Sequence, residues 1–279
     1  MIEKYYDGAI EQVAAGLGTV EKNHLLVRYS GQFSVENLND TKQLEKNEDI
    51  FVQVHEFETG EITCAYEPYL TMICDGFRRY MTGTFEEFME TCDVYYLHRP
   101  VLLGYFNQDN TGREEIILLD EVAYEQERML AALERMLCAI ADRHPVLFVL
   151  NRFQLASKST MQLTARFLKC ENCNIGLVLG VSDIQAMPEF LVPDWEMLYE
   201  TLDDGSKIYH IGNSGRKKEE TIDDEKYVDY GSEKVYRKLQ NMVEFLDFDQ
   251  AAYYLETIER KIKFDNLLVD DAARFRIDR

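Results

Sequence analysis

No apolar run in this chain approaches the roughly 18 residues that a membrane-spanning helix needs; the longest are short stretches such as Val146–Leu150. Basic residues are scarce beside acidic ones. Thirty Lys and Arg face 51 Asp and Glu over 279 residues, giving a formal net charge of −21 and a pI near 4.6. Such a surface repels the phosphates of nucleic acid and anionic lipid headgroups, so neither is an expected partner. The N-terminal Met1-Ile-Glu-Lys-Tyr-Tyr-Asp lacks the basic start and apolar block of a signal peptide, and a cytoplasmic location is expected. Sulfur is sparse too. Six cysteines (Cys64, Cys74, Cys92, Cys138, Cys170 and Cys173) read as reduced, mostly buried thiols. Only Cys170-Glu-Asn-Cys173 has a metal-like or redox-like spacing, and no second CxxC or HxxxH supplies the two further ligands that zinc would need. Also missing are a G-x-S-x-G elbow, an H-E-x-x-H zinc motif, acids at calcium-loop spacing, a GGDEF string and a helix-turn-helix pattern.

What is present suits a packed core: 46% of residues are hydrophobic and 12% aromatic, enough for one large domain or two small ones. The 17 Tyr and 15 Phe are expected in the core and at interfaces. Buried strands are expected at His24–Arg28, Ile50–His55, Val146–Leu150 and Asn174–Val181, with a shorter one at Lys207–Ile211. Helices are expected from Pro68 to Tyr80, from the Thr84/Glu87 capping box to about Tyr96, from Glu121 to Arg143, and from Ser157 to about Lys169. His98-Arg99-Pro100 reads as a surface loop, its histidine structural. Continuous apolar strands alternating with helices mean a parallel sheet covered on both faces. Gly212–Gly231 is polar and charged, and reads as an exposed loop. Its Gly212-Asn-Ser-Gly-Arg-Lys-Lys mimics a phosphate loop but runs into carboxylates. Beyond it, Ser232 to about Lys263 reads as a helical hairpin broken near Leu246-Asp-Phe-Asp, and Phe264–Arg279 as further helix.

Two segments carry a resemblance. Tyr66-Glu-Pro-Tyr-Leu-Thr-Met-Ile and His144-Pro-Val-Leu-Phe-Val-Leu-Asn-Arg-Phe-Gln-Leu-Ala-Ser-Lys-Ser-Thr resemble the Pro-Tyr segment and the Walker B region of STAND, or AAA-like, P-loop ATPase modules of bacterial signalling regulators. The long helix before the second segment and the Gly176-Leu-Val-Leu-Gly-Val strand after it follow the family's order. The likeness is firm over about half the chain. It implies a P-loop-NTPase-like α/β domain over 1–215, a charged linker over 216–231 and helices over 232–279.

The resemblance also implies where a nucleotide site should lie, and at each place the residue departs. A phosphate loop should follow the first strand, yet counting from Gly31 puts Glu36, Asn37 and Leu38 where Gly, Lys and Ser/Thr belong. A carboxylate there repels a triphosphate, and Leu cannot hold a metal. Asn151 and Arg152 stand where two acids should hold Mg²⁺ and orient water. Ser157 replaces a third acid, and Ser182 lies near the position of a sensor Arg after the fourth strand.

The leading expectation is therefore a non-catalytic NTPase-like regulatory or interaction module with no cofactor, contacting other proteins or other domains of a longer chain. Two alternatives stay open. One is an atypical nucleotide switch or slow ATPase that uses ATP and Mg²⁺ at Asn151, Arg152 and the Tyr29–Asn37 loop; strand ends are where open sheets bind ligands. The other is an unrelated α/β adaptor. The Glu244–Ile258 segment resembles the second half of a tetratricopeptide repeat, with Leu246 in place of the usual small residue before the turn. It reads either as a lid on the α/β domain or as the start of an array continuing past Arg279.

Overall fold

The computed structural model describes residues 2–19, 24–29, 34–35, 38–46, 49–58, 61–109, 121–170, 173–182, 187–203, 208–211 and 233–265. Five strands form one all-parallel sheet: β1 (Leu25–Tyr29), β2 (Phe51–Glu56), β3 (Val146–Asn151), β4 (Ile175–Val181) and β5 (Ile208–Ile211). Their order is β2-β3-β4-β1-β5. The expected α/β fold, a parallel sheet between helices with helices after it, is what the chain adopts.

Strand periodicity sorts the core into two halves. On one face, Leu25, Val27, Leu147, Val149 and Val178 pack with Tyr6, Ile10 and Val13 of α1 (Ile2–Gly16) and with Leu38, the residue before α2 (Asn39–Leu44). On the other, Leu26, Phe148, Leu150, Leu177 and Leu179 meet the buried stripes of α3 (Tyr69–Tyr80) and α6 (Val122–Ala141). The same core takes in α4 (Phe85–Thr91), α5 (Arg99–Asn107), α7 (Lys158–Lys169) and α8 (Val192–Asp203). β3 and β4 are buried along their whole length, which is why their sequences are unbroken apolar runs instead of alternating ones.

Local chemistry sets the ends. Thr84 Oγ1 accepts the Glu87 N–H and the Glu87 carboxylate accepts the Thr84 N–H, the reciprocal cap expected from the sequence. The helix it opens stops at Thr91, short of the expected Tyr96. The His98-Arg99-Pro100 segment is not a surface loop. It opens α5, with His98 fully buried and its Nε2 3.1 Å from Glu125 Oε2, because Pro100 suits the first turn of a helix. α1, α2, α5 and α8 have no counterpart among the expected elements.

The C-terminal hairpin, α9 (Glu233–Glu244) and α10 (Phe248–Asp265), packs on the α/β domain as a lid would. Val235, Leu239, Met242, Ala251, Leu255 and Ile258 enclose Ile62 from the segment between β2 and α3. Leu246, at the turn, adopts a left-handed φ of 65° that favours glycine, and is held there by burial and by a hydrogen bond from Gln126 Nε2 to its carbonyl. The charged 216–231 linker, the phosphate-loop mimic that begins at Gly212, and all but the first two residues of Phe264–Arg279 lie outside the described residues. No helix among the described residues is long and apolar enough to cross a membrane.

Candidate functional site at the strand ends

Strand order marks the place to look. From β1 the chain passes to β2 at one edge of the sheet, and from β4 it crosses β1 to reach β5 at the other edge. Connections leaving β1 and β4 therefore run in opposite directions and open a crevice beyond their C-terminal ends. β3, whose last residue is Asn151, adjoins β4 on the other side.

That crevice is filled by the protein's own side chains. Tyr29 ends β1, Asn151 ends β3, and Gly180 of β4 lies between them. Across the glycine the Tyr29 hydroxyl donates to Asn151 Oδ1 at 2.7 Å, in a buried position. Tyr6 of α1 closes the group from above. A Cβ on Gly180 would lie 2.3 Å from Tyr6 Oη and 2.6 Å from Asn151 Oδ1, so only glycine lets the three side chains converge. Burial pushes the Tyr29 hydroxyl up to about 12; the Arg152 charge opposes this, the Glu56 charge adds to it, and hydrogen bonds to Asn151 and Ser182 oppose it again. Tyr6 is also raised, by burial first and then by Tyr29 and Glu56. Both phenols stay protonated at neutral pH, and Tyr29 acts as a hydrogen-bond donor, not a base.

The second half of the site is built around Glu56, the last residue of β2, which pairs in register with Asn151. Its Oε2 accepts the Ser34 hydroxyl at 2.8 Å and the Val35 backbone N–H at 3.2 Å, both from the connection after β1. Its Oε1 lies 3.4 Å from Arg152 Nε. Arg152 sits at a left-handed φ of 53°, turning the chain from β3 into the 3-10 turn Phe153–Leu155. Gln154 in that turn bonds Ser182 after β4, its Nε2 donating to Ser182 Oγ at 2.7 Å.

Farther along, the N-terminus of α7 is also satisfied from within. Ser157 is its N-cap, accepting the Thr160 N–H at 3.2 Å. The Ser159 N–H donates to Asp247 Oδ2 at 3.1 Å and the Lys158 N–H to Gln250 Oε1 at 3.3 Å, both acceptors coming from the α9–α10 turn and the start of α10. Lys158 Nζ pairs with Asp249.

The expected site residues thus scatter in role. Asn151, Arg152 and Ser182 come together at the strand ends with Tyr29, Glu56 and Gln154. Ser157 caps a helix, and Leu38 is a fully buried core residue against α1. Gly31, Glu36 and Asn37 lie outside the described residues. Tyr6, Glu56 and Asp247 were missed. Glu56 had a readable signal, since it follows the expected strand Ile50–His55 at the end where open sheets place ligands; Tyr6 and Asp247 had none.

Two other features stand apart. A solvent-open cleft of about 470 Å³ lies between α3, α5 and α9, its walls mixing Asp75 and Glu244 with Arg78 and Arg237. The cysteines differ from expectation: Cys138 and Cys173 form a disulfide, and Cys64 and Cys170 are half-buried thiols beside the buried Cys74 and Cys92. The cause is tertiary, because the end of α6 and Cys173, just before β4, meet at the N-terminal edge of the sheet.

No protein-family profile matches this chain, and no curated protein matches it.

Proposed function

We propose that the chain is a non-catalytic, NTPase-like regulatory module that works by protein–protein contact, its nucleotide-site positions turned to structural use. Glu56 carries this reading. In the sheet, the connection after β1 and the end of β3 are where the resemblance implies phosphate and Mg²⁺ should bind. The donors found there, the Ser34 hydroxyl, the Val35 N–H and the Arg152 guanidinium, all point to one internal carboxylate. A carboxylate already occupying anion donors repels a triphosphate; the neighbouring Asn151 is held by Tyr29, and the acid beside it, Glu56, is committed to Ser34, Val35 and Arg152. Leu38, at the position where the resemblance implies a metal-binding hydroxyl, is a buried core residue.

The formal charge of −21 favours a partner with a basic surface. The outer side of the α9–α10 hairpin is a surface such a partner could use, since the inner side is spent on Ile62.

Thermal unfolding with and without millimolar ATP, ADP or GTP and Mg²⁺ tests the reading. A ligand at one hundred times its Kd stabilises the native state by about 2.7 kcal/mol. No shift with any nucleotide is expected. A clear shift, abolished by R152A, would overturn the reading in favour of an atypical nucleotide switch.

A further inference from the structure

Cys138 meets the Cys170/Cys173 pair, more than thirty residues further along, where two helices end. Cys138 lies in the last turn of α6, Cys170 is the residue that terminates α7, and Cys173 leads into β4. Their sulfur atoms all lie within 4.8 Å of one another. Cys138 and Cys173 are joined, and Cys170 Sγ stands 4.0 Å from Cys138 Sγ. Cys173 is buried and the other two are half-buried, so the trio is rooted in the core yet reachable from outside. It sits at the N-terminal edge of the sheet, at the opposite end of β4 from Gly180.

The surroundings decide what three thiols here would suit. Reactive, nucleophilic cysteines are found at helix N-termini or beside cations, which stabilise the thiolate. Both helix ends at this place are C-terminal, and their partial negative charge disfavours a bare thiolate while favouring a cation. Sulfurs bound to a metal at ~2.3 Å stand about 3.8–4.0 Å apart in tetrahedral or trigonal geometry. The Cys138–Cys170 separation of 4.0 Å already meets that spacing. Cys170-x-x-Cys173 is a chelate spacing of structural zinc sites, and α6 supplies the third ligand that the linear sequence did not show.

We propose that, once its disulfide is reduced, the chain binds one thiophilic divalent cation of the zinc class through Cys138, Cys170 and Cys173. A fourth position is left to water or an outside ligand, and the disulfide is the metal-free, oxidised form. Opening it takes two electrons and two protons from a thiol reductant: two RSH become RSSR while Cys138 and Cys173 become thiols. Metal binding then replaces three S–H bonds by three S–metal bonds and releases three protons. The disulfide ties the end of α6 to the start of β4, and the metal would tie the end of α7 to both.

The test is a titration of the reduced, full-length chain with Cd²⁺ under anaerobic conditions, read by the ultraviolet sulfur-to-metal charge-transfer band. One cation per chain is expected, with close to three protons released in weak buffer near neutral pH. C138S, C170S and C173S should each remove about a third of the band and weaken binding by ~10-fold or more, since even supporting groups are worth that much at metal sites. C64S should change neither, Cd²⁺ should displace Zn²⁺ bound first because the softer ion suits thiolate ligands better, and the oxidised chain should bind none. A reduced chain with no saturable band at one equivalent overturns the proposal, as does a band that the three substitutions leave unaltered. Interchange of Cys138–Cys173 and Cys138–Cys170 disulfides without metal uptake overturns it too, and marks a thiol–disulfide exchange site instead. Stoichiometry and proton release are read on the unsubstituted chain, so a variant that fails to fold does not remove the test.

Discussion

Tyr29 donates its hydroxyl proton to Asn151 Oδ1 at 2.7 Å across the bare backbone of Gly180, tying β1 to β3 over the strand between them. The bond occupies the crevice in which an open α/β sheet ordinarily holds its ligand. Because it is buried, it contributes to stability mainly through the cost of breaking it.

Y29F leaves Asn151 Oδ1 without this donor in a buried site. The expected loss is about 1–3 kcal/mol, the cost of an unsatisfied buried polar group, read from urea unfolding at unchanged m-value. G180A should cost a similar ~1–3 kcal/mol by overpacking, since its methyl would meet Tyr6 Oη and Asn151 Oδ1. If G180A were as stable as the natural chain, the convergence of Tyr6, Tyr29 and Asn151 would not be tight.

Glu56 is the internal anion of the site. E56A removes the acceptor of Ser34, Val35 and Arg152, and a loss of about 1–2 kcal/mol is expected, modest because the Arg152 pair is partly solvated. The freed donors should then take up an outside anion. Inorganic phosphate should raise the thermal midpoint of E56A more than that of the natural chain, and this extra gain should vanish in E56A/R152A.

Asp247 is buried, and burial lifts its carboxyl above the ordinary aspartate value of 3.8, against the pull of hydrogen bonds from Ser159 and the charge of Lys158 and with a push from Asp249. The folded state therefore binds this proton more tightly than the unfolded chain does. The stability so gained is present below the ordinary aspartate value and is lost as pH rises through the raised one. D247N keeps an acceptor for the Ser159 N–H and carries no titratable group. Its stability relative to the natural chain should grow as pH rises from about 4, as followed by denaturant midpoints across pH. A difference independent of pH would show that Asp247 titrates normally.

Met242 is fully buried between the two hairpin helices and Ile62. M242A should cost about 2–4 kcal/mol. Amide exchange should show the loss concentrated in α9 and α10, with the sheet protected as before. Uniform loss of protection across the sheet would mean that the hairpin and the α/β domain unfold as one unit.

The sequence by itself determined the strands of the sheet and the helices α3, α4, α6 and α7 on its other side from α1. Val146–Leu150 and Ile175–Val181 are too apolar for anything but strands buried on both faces; the Thr84/Glu87 box and Ser157 fix helix starts through their own backbone bonds; and the apolar stripe of α6 repeats at helical spacing. These signals are local, carried by neighbours within a turn or two, so they survive in one dimension. α1 escaped notice although it packs on β1, β3 and β4, because its fit depends on Gly176 and Gly180 of a strand far along the chain. The strand-end residues Asn151 and Arg152 were legible as a place, but not as what fills it. Glu56 and Tyr29 reach them only because strand order sets β2 beside β3 and β1 across β4 from it, and Tyr6 only because α1 packs over Gly180. The same holds for Asp247 at the start of α7 and for Cys138 beside Cys170 and Cys173. A charge, a hydroxyl or a thiol takes its role from whichever group stands within a few ångströms, and tertiary packing alone decides which group that is.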